Sequence, residues 1–274
     1  MLRRAIPRSG ELLPAVGLGT YQSFDVGGNA AERDTMAEVL RLFVGHGGAV
    51  IDSSPMYGSS EEVVGDLSAR LGARASLFMA TKVWTSGRDA GIRQMEDSFR
   101  KMRVERMDLM QIHNLLDWNT HARTLAEWKQ AGRIRYSGIT HYHEGAYDQL
   151  ARILKTRQFD FVQFNYSIVE REAENSLLPL AMDTGHAVIV NRPFAAAGLF
   201  SRVRGKSLPD WAADFDCRSW AQFFLKYILS HPAVTCAIPA TSKPKHLVDN
   251  MGAGIGKLPN EATRKRMAAY MDSL

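Results

Sequence analysis

The 274-residue sequence predicts a (β/α)8 barrel of the α/β class, with an N-terminal β-hairpin and a C-terminal helix. Three observations carry that expectation. Short runs of β-branched or aromatic residues alternate with longer stretches of helical period, there are eight such runs, and no linker or change of composition interrupts them. Residues 1–274 therefore read as a single domain, a usual length for an α/β barrel. The eight runs span residues 16–20, 49–52, 77–82, 108–113, 136–140, 161–165, 187–191 and 234–238.

The opening segment, residues 2–13 with Ser9-Gly10 at its middle, reads as a hairpin placed before the first barrel strand, where it can plug the bottom of the barrel. In the first helical stretch Met36, Val39, Leu40, Phe43 and Val44 fall at i, i+3, i+4, i+7 and i+8, one apolar stripe that faces the sheet. Ser59 followed by Glu62 reads as a capping box opening the second helix. Strand ends fall 25 to 32 residues apart until the seventh, after which residues 192–218 intervene, rich in Gly, Pro and aromatics. A long segment on the face where barrel chemistry occurs is expected to act as a lid. Beyond it Trp220, Phe223, Phe224, Tyr227 and Ile228 form another helical stripe, a helix is expected to start near Pro244, and residues 260–273 read as a closing amphipathic helix.

Composition narrows the class of function. Hydrophobic residues at 45% suffice for a large core, and the net charge of +5 is spread without a long basic run, which argues against a nucleic-acid partner. Cys217 and Cys236 stand without CxxC spacing, so two free thiols are expected and no metal site. No stretch of about 18 apolar residues predicts a membrane span. Arg3 and Arg4 are followed by Pro7 and Arg8 and not by an apolar run, so the expected location is the cytoplasm, or the periplasm if a leader has been removed. Gly17-Leu18-Gly19 lacks a third glycine and the 252–256 glycines do not lead from a strand into a helix, so neither is read as a dinucleotide fingerprint.

The chemistry is carried by Asp52, Lys82 and His113, at the ends of three successive runs, and by Tyr57 just beyond the second. In a barrel such positions converge on one face although they are far apart in sequence. A phenol with an ordinary pKa near 10 needs a neighbouring cation to stabilise the phenolate left after proton donation. Lys82 supplies the cation. A lysine buried beside a phenol needs a carboxylate to keep its charge, and Asp52 fits. His113 then donates to a substrate oxygen and stabilises the charge that develops there. The implied reaction is hydride attack on a carbonyl carbon, and a nicotinamide is required because no side chain supplies hydride.

At this point the chain resembles the aldo-keto reductase superfamily, as a short bacterial-type member. The resemblance rests on five ordered blocks: Gly17-Leu18-Gly19-Thr20-Tyr21, the stretch from Ile51-Asp52 to Ser60-Glu61, Ala80-Thr81-Lys82-Val83-Trp84, Asp108-Leu109-Met110-Gln111-Ile112-His113, and Ile238-Pro239-Ala240-Thr241-Ser242. It implies an NADPH-dependent aldehyde or ketone reductase, reversible as an alcohol oxidation, with Tyr57 as proton donor, Lys82 and Asp52 tuning it and His113 orienting the substrate. NADP(H) is the implied cofactor and NAD(H) the alternative. The implied contacts begin at Gly19, Thr20 and Asp52. Thr140, His141 and Gln163 would meet the nicotinamide carboxamide, Asn191, Arg192, Pro193 and Phe194 would run along the ring and pyrophosphate, and Thr241, Ser242, Lys243, His246 and Asn250 would hold the adenosine end. A helix starting near Pro244 offers free N–H groups to a phosphate, and Lys243 and Lys245 add charge.

The chain departs from the family pattern in places. Thr140-His141 stands where many members have Ser-Asn, 191–194 replaces a stacking Tyr, and Ala240 and His246 replace the usual Lys and Arg of the 2′-phosphate site. The resemblance places Tyr21 and Trp84 with His113 at the substrate pocket; Tyr142, next to His141, is expected to line it as well, and the pocket is expected to be open and permissive beneath the 192–218 excursion. The expected partner is a small carbonyl or alcohol, and the expected state a monomer or weak homo-oligomer. A nucleotide-sensing binding subunit with incidental turnover is the alternative function. Hydrolase or lyase chemistry would need a metal or paired carboxylates at the strand ends, which the sequence does not offer.

Overall fold

A computed structural model describes residues 1–274. A two-stranded hairpin, β1 (Arg3–Ala5) and β2 (Leu12–Pro14), precedes an eight-stranded parallel sheet. The sheet runs in chain order through β3 (Leu18–Gly19), β4 (Val50–Asp52), β5 (Phe78–Val83), β6 (Met107–His113), β7 (Ile134–Thr140), β8 (Phe161–Asn165), β9 (Ala187–Asn191) and β10 (Val234–Ala237). Parallel bridges Val16 to Ala237 and Gly19 to Ala240 join the two ends and close the barrel. At that seam a Cβ on Gly19 would lie 2.9 Å from the carbonyl oxygen of Ile238, so only glycine fits.

Ten helices accompany the strands: α1 (Ala30–Gly45), α2 (Ser60–Arg70), α3 (Arg88–Lys101), α4 (Trp118–Gln130), α5 (Tyr147–Leu154), α6 (Leu177–Thr184), α7 (Gly198–Arg202), α8 (Trp220–Leu229), α9 (Pro244–Gly252) and α10 (Glu261–Asp272). The α1 stripe is buried at Met36, Val39, Leu40 and Phe43, while Val44 sits half-buried at its edge. In α8 every residue from Ala221 to Leu229 is buried, so this helix is enclosed all round. Asn260 caps α10 by accepting from the Thr263 N–H at 2.9 Å.

The barrel lumen is layered. Ile6 and Leu13 of the hairpin pack against Val50, Phe78, Ala80, Leu109, Phe161, Ile189 and Cys236, an apolar plug that fills the lower interior. Above it, at the strand C-termini, the inward positions turn polar: Asp52, Lys82, Gln111, His113 and Gln163 are all buried. The strand period of two sets this order, because Ala80 and Lys82, like Leu109, Gln111 and His113, share one face of their strands. The apolar plug fixes the height at which the polar layer can begin.

Two local expectations give way to longer-range contacts. Ser59 makes no capping bond to α2; its hydroxyl accepts from Gly27 N–H and donates to Asp25 Oδ1, both at 2.8 Å, tying the β3–α1 loop to the turn that carries Tyr57. The 192–218 excursion, the expected lid, is anchored on the outer helices by its aromatic residues. Phe194 and Phe200 pack on Phe224, and Trp211 packs on Phe223 and Tyr270, so its aromatic rings are spent against α8 and α10 at the side of the barrel.

That excursion begins with an unusual backbone. Ala195, Ala196 and Ala197 have φ of 48°, 52° and 70°, three successive left-handed residues with a Cβ. Each such residue is strained by about 1–2 kcal/mol relative to glycine's freedom. Ala196→Gly is expected to raise stability by about 0.5–1 kcal/mol after the entropy of the unfolded chain is deducted, read as a higher urea midpoint with an unchanged slope.

Candidate active site

Asp52, Lys82 and His113 end β4, β5 and β6, or stand one residue from the end, and strand register brings them to one level. Lys82 pairs with Gln111 across the β5–β6 ladder, and His113 pairs with Thr140, which pairs in turn with Gln163. Lys82 is fully buried; its Nζ donates to Asp52 Oδ2 at 2.5 Å and to the Ser53 carbonyl at 2.6 Å. The other carboxylate oxygen, Oδ1, accepts from the side-chain amides of Gln111 and Gln163, each at 3.0 Å. Both oxygens of a buried charge are thus satisfied.

Tyr57 leans over this pair. Lys82 Nζ lies 5.1 Å from the centre of its ring, and Tyr21 packs on the ring with centroids 5.0 Å apart. Burial pushes the phenol above its ordinary pKa, an effect that Lys82 only partly offsets. Burial acts against the Lys82 charge, yet Asp52 and Tyr57 outweigh it and hold its pKa above the usual value. His113 meets Tyr57 edge-on with centroids 5.9 Å apart, and burial, followed by Lys82 and His141, lowers its pKa to about 3. At neutral pH the cluster holds a protonated phenol, a lysine ammonium bonded to Asp52 and a neutral imidazole.

The mouth above them is open. Tyr21, Trp84 and Tyr142 are 53%, 40% and 49% exposed, and the Trp84 ring lies 6.3 Å from that of His113. His141 stacks on Tyr142 at an interplanar angle of 10°, and burial and then His143 lower its pKa. Cavities of about 510 and 640 Å³ lie elsewhere, one lined by Lys129 and Phe159 and the other by Arg264 and Asp272, and neither touches the tetrad.

The residues expected at a nicotinamide dinucleotide behave unequally. Thr20 is buried and its hydroxyl is within 3.0 Å of both the Asp52 carbonyl and Ser53 Oγ, so it acts as an internal tie, as Gly19 does at the seam. Thr140 Oγ1 donates to Gln163 Oε1, whose amide already holds Asp52, which leaves this pair committed to the polar layer. Phe194 packs its ring on Phe200, with centroids 4.9 Å apart, and on Phe224 at 6.4 Å. Pro193 is buried, while Arg192 is exposed, with Glu170 at 3.8 Å and the Tyr142 ring at 5.9 Å. Asn250 is buried in α9, and Thr241, Ser242, Lys243 and His246 lie at or near the start of that helix, with Pro244 in its first turn.

Asn191 leaves an acceptor unpaired. Its amide donates to the His141 carbonyl at 3.3 Å, but its Oδ1 is buried with no donor, as are Asn114 Oδ1 and Glu170 Oε2 just past the ends of β6 and β8. A buried acceptor left unpaired costs about 1–3 kcal/mol, and a carboxamide brings the N–H groups such acceptors lack.

Ser54 and Gln111 were not singled out from sequence, although both lie inside the blocks. Gln111 stands two residues before His113 on one strand, so period two alone puts it on the same face. Ser54 had no such signal, since it lies in the loop after β4.

Residues 15–267 match the sequence model of the Aldo/keto reductase family. The chain is 29% identical over 262 residues to methylglyoxal reductase YeaE of Escherichia coli, covering 91% of this chain and 89% of that protein. It is 28% identical to an NADH-specific methylglyoxal reductase of the same organism, covering 73% of this chain and 69% of that one. The crystal structure of an aldo/keto reductase from Klebsiella pneumoniae in complex with NADP and acetate superposes with a TM-score of 0.82 at 26% identity, covering 98% of this chain and 96% of that one.

Proposed function

The chain belongs to the aldo/keto reductase family, and on that premise we propose that residues 1–274 form one catalytic unit that reduces aldehydes or ketones with NADPH, Tyr57 acting as general acid. The observation that carries the reading is the stack of Tyr57 over the buried Lys82–Asp52 pair beside a neutral His113. A bound nicotinamide supplies the hydride. The Tyr57 hydroxyl gives its proton to the substrate oxygen as negative charge develops there, and the Lys82 ammonium stabilises the phenolate that remains. Asp52 keeps Lys82 charged, and His113 orients the substrate oxygen toward Tyr57. The NADP complex of the Klebsiella relative supports NADP(H), and the NADH-specific relative keeps NAD(H) in view.

In our reading Asn191 and His141 take the carboxamide end, and Lys243, Lys245 and His246, at the start of α9, take the phosphate on the adenosine ribose. Lys243→Ala or Lys245→Ala is then expected to weaken NADPH by about tenfold and NADH by less than about twofold, measured by fluorescence titration, with an exposed charge–phosphate contact as the cause. Equal losses for the two cofactors would place the 2′-phosphate elsewhere.

The aromatic mouth around two neutral imidazoles suits uncharged carbonyl compounds, and two relatives are methylglyoxal reductases. The deciding experiment is an NADPH titration followed by turnover of methylglyoxal and of an aromatic aldehyde, with pyruvate as the charged comparison. Turnover of the uncharged compounds is expected to exceed that of pyruvate by at least about tenfold in kcat/KM, since Arg192, the cation beside Tyr142, already faces Glu170 at 3.8 Å. Absence of NADPH binding overturns the reading; tight binding with negligible turnover favours a nucleotide-sensing subunit.

A further inference from the structure

His113 is useful only if the correct ring nitrogen carries its proton. The ring is neutral, so Nδ1–H and Nε2–H forms compete, and burial gives no preference between them. One contact does. Ser54, fully buried in the loop between Asp52 and Tyr57, has its Oγ 2.9 Å from His113 Nδ1.

The direction of that bond follows from the partners of Ser54. Its Oγ also lies 3.3 Å from the Met56 backbone nitrogen, which can only donate. The hydroxyl therefore accepts from Met56, and His113 Nδ1 is the one acceptor within reach of its own hydrogen. A bond drawn the other way would leave a buried O–H without an acceptor, which costs about 1–3 kcal/mol. The chain of donors runs from Met56 N–H to Ser54 O–H to His113 Nδ1, and the ring proton is left on Nε2.

We propose that Ser54 is a positioning residue that holds His113 in its Nε2–H tautomer, so that the imidazole presents a donor and not a lone pair to the substrate oxygen. The inference rests on the carbonyl-reductase reading for its purpose but not for its measurement. It also links the two groups at the substrate oxygen, because the Ser54–Met56 turn leads directly into Tyr57 and one short loop sets both. The ring's other neighbours, Tyr57 edge-on and Trp84 tilted, hold its plane, and the hydroxyl fixes which edge is which.

The test is the ring-nitrogen spectrum of His113 in the full chain, labelled with ¹⁵N-histidine and saturated with NADP⁺, assigned by loss of its signals in His113→Gln. An unprotonated Nδ1 and a protonated Nε2 are expected at pH 7. In Ser54→Ala the two tautomers should mix, and kcat/KM for methylglyoxal should fall about tenfold, the rate equivalent of one net hydrogen bond. Ser54→Thr, which keeps the hydroxyl, should restore both. A merely structural role would lower stability without moving the tautomer. A protonated Nδ1 in the unaltered protein, or an unchanged tautomer in Ser54→Ala, overturns the proposal. If Ser54→Ala does not fold, the spectra of the unaltered protein and of Ser54→Thr decide. Failure of the unaltered protein to reduce any carbonyl would remove the reductase reading while leaving the tautomer result intact.

Discussion

Tyr57→Phe is expected to lower kcat for a carbonyl substrate by about a thousandfold, within the range a positioned general acid contributes. The ring remains to pack against Tyr21 and His113, so thermal stability and the affinity for NADPH should stay near those of the unaltered protein, the latter within about threefold. The loss therefore belongs to the transition state. Because burial raises the Tyr57 pKa, the phenol is protonated throughout the neutral range, and kcat/KM in the unaltered protein should stay flat there. His113 adds no limb above pH 5, since its pKa lies at about 3. Near-normal turnover in Tyr57→Phe would remove the tyrosine from the mechanism; a loss confined to KM would make it a binding residue.

The largest structural effect is expected from Lys82→Met. That change leaves the Asp52 carboxylate fully enclosed with only the amides of Gln111 and Gln163 as donors, and breaking one side of a buried pair costs about 3–5 kcal/mol. For a chain of this size the shift corresponds to a Tm lower by roughly 10 °C. Pairing it with Asp52→Asn removes the stranded charge and should recover most of the stability while leaving the protein inactive, a split that separates the fold from the chemistry. The pH dependence has a definite sign. A lysine whose folded pKa is raised contributes fully below its unfolded value, near 10.4, and loses that contribution only as pH rises through the folded one. The stability gap between unaltered protein and Lys82→Met should thus be the same at pH 6 and pH 9, measured by urea unfolding. A gap that closes by pH 9 would mean that Lys82 is not held charged by Asp52.

Much of this could be read from the chain. The eight strands are found at the expected positions, with ends displaced by a few residues at most, because alternating β-branched runs and helical stripes record which face each segment buries. The hairpin that plugs the barrel was legible from Ser9-Gly10, and Gly10 adopts φ of 74° at the turn. The capping expectation at Ser59 failed for a nameable reason: its oxygen accepts from Gly27 N–H, 32 residues away, in place of a helix N–H, and its hydroxyl hydrogen goes to Asp25, 34 residues away. The packing of the 192–218 excursion could not be read from the chain either. Its aromatics were visible, but whether they cover the mouth or pack on α8 depends on where α8 and α10 stand.

The sequence by itself determined which residues could do the chemistry and on which face of which strand they lie. That information is local: period two along a strand, and the rule that strand ends share one rim, suffice to gather Asp52, Lys82 and His113. Tertiary structure decided what each of them is bonded to. Gln111 reaches Asp52 and Ser54 reaches His113, each across 59 residues, and Asn191 is left with an acceptor that has no donor. Those facts follow from strand register and from the path of loops, set by the packing of the whole barrel and absent from any local pattern. The same packing fixes the proton of His113 and the charge of Lys82, on which the proposed reaction depends.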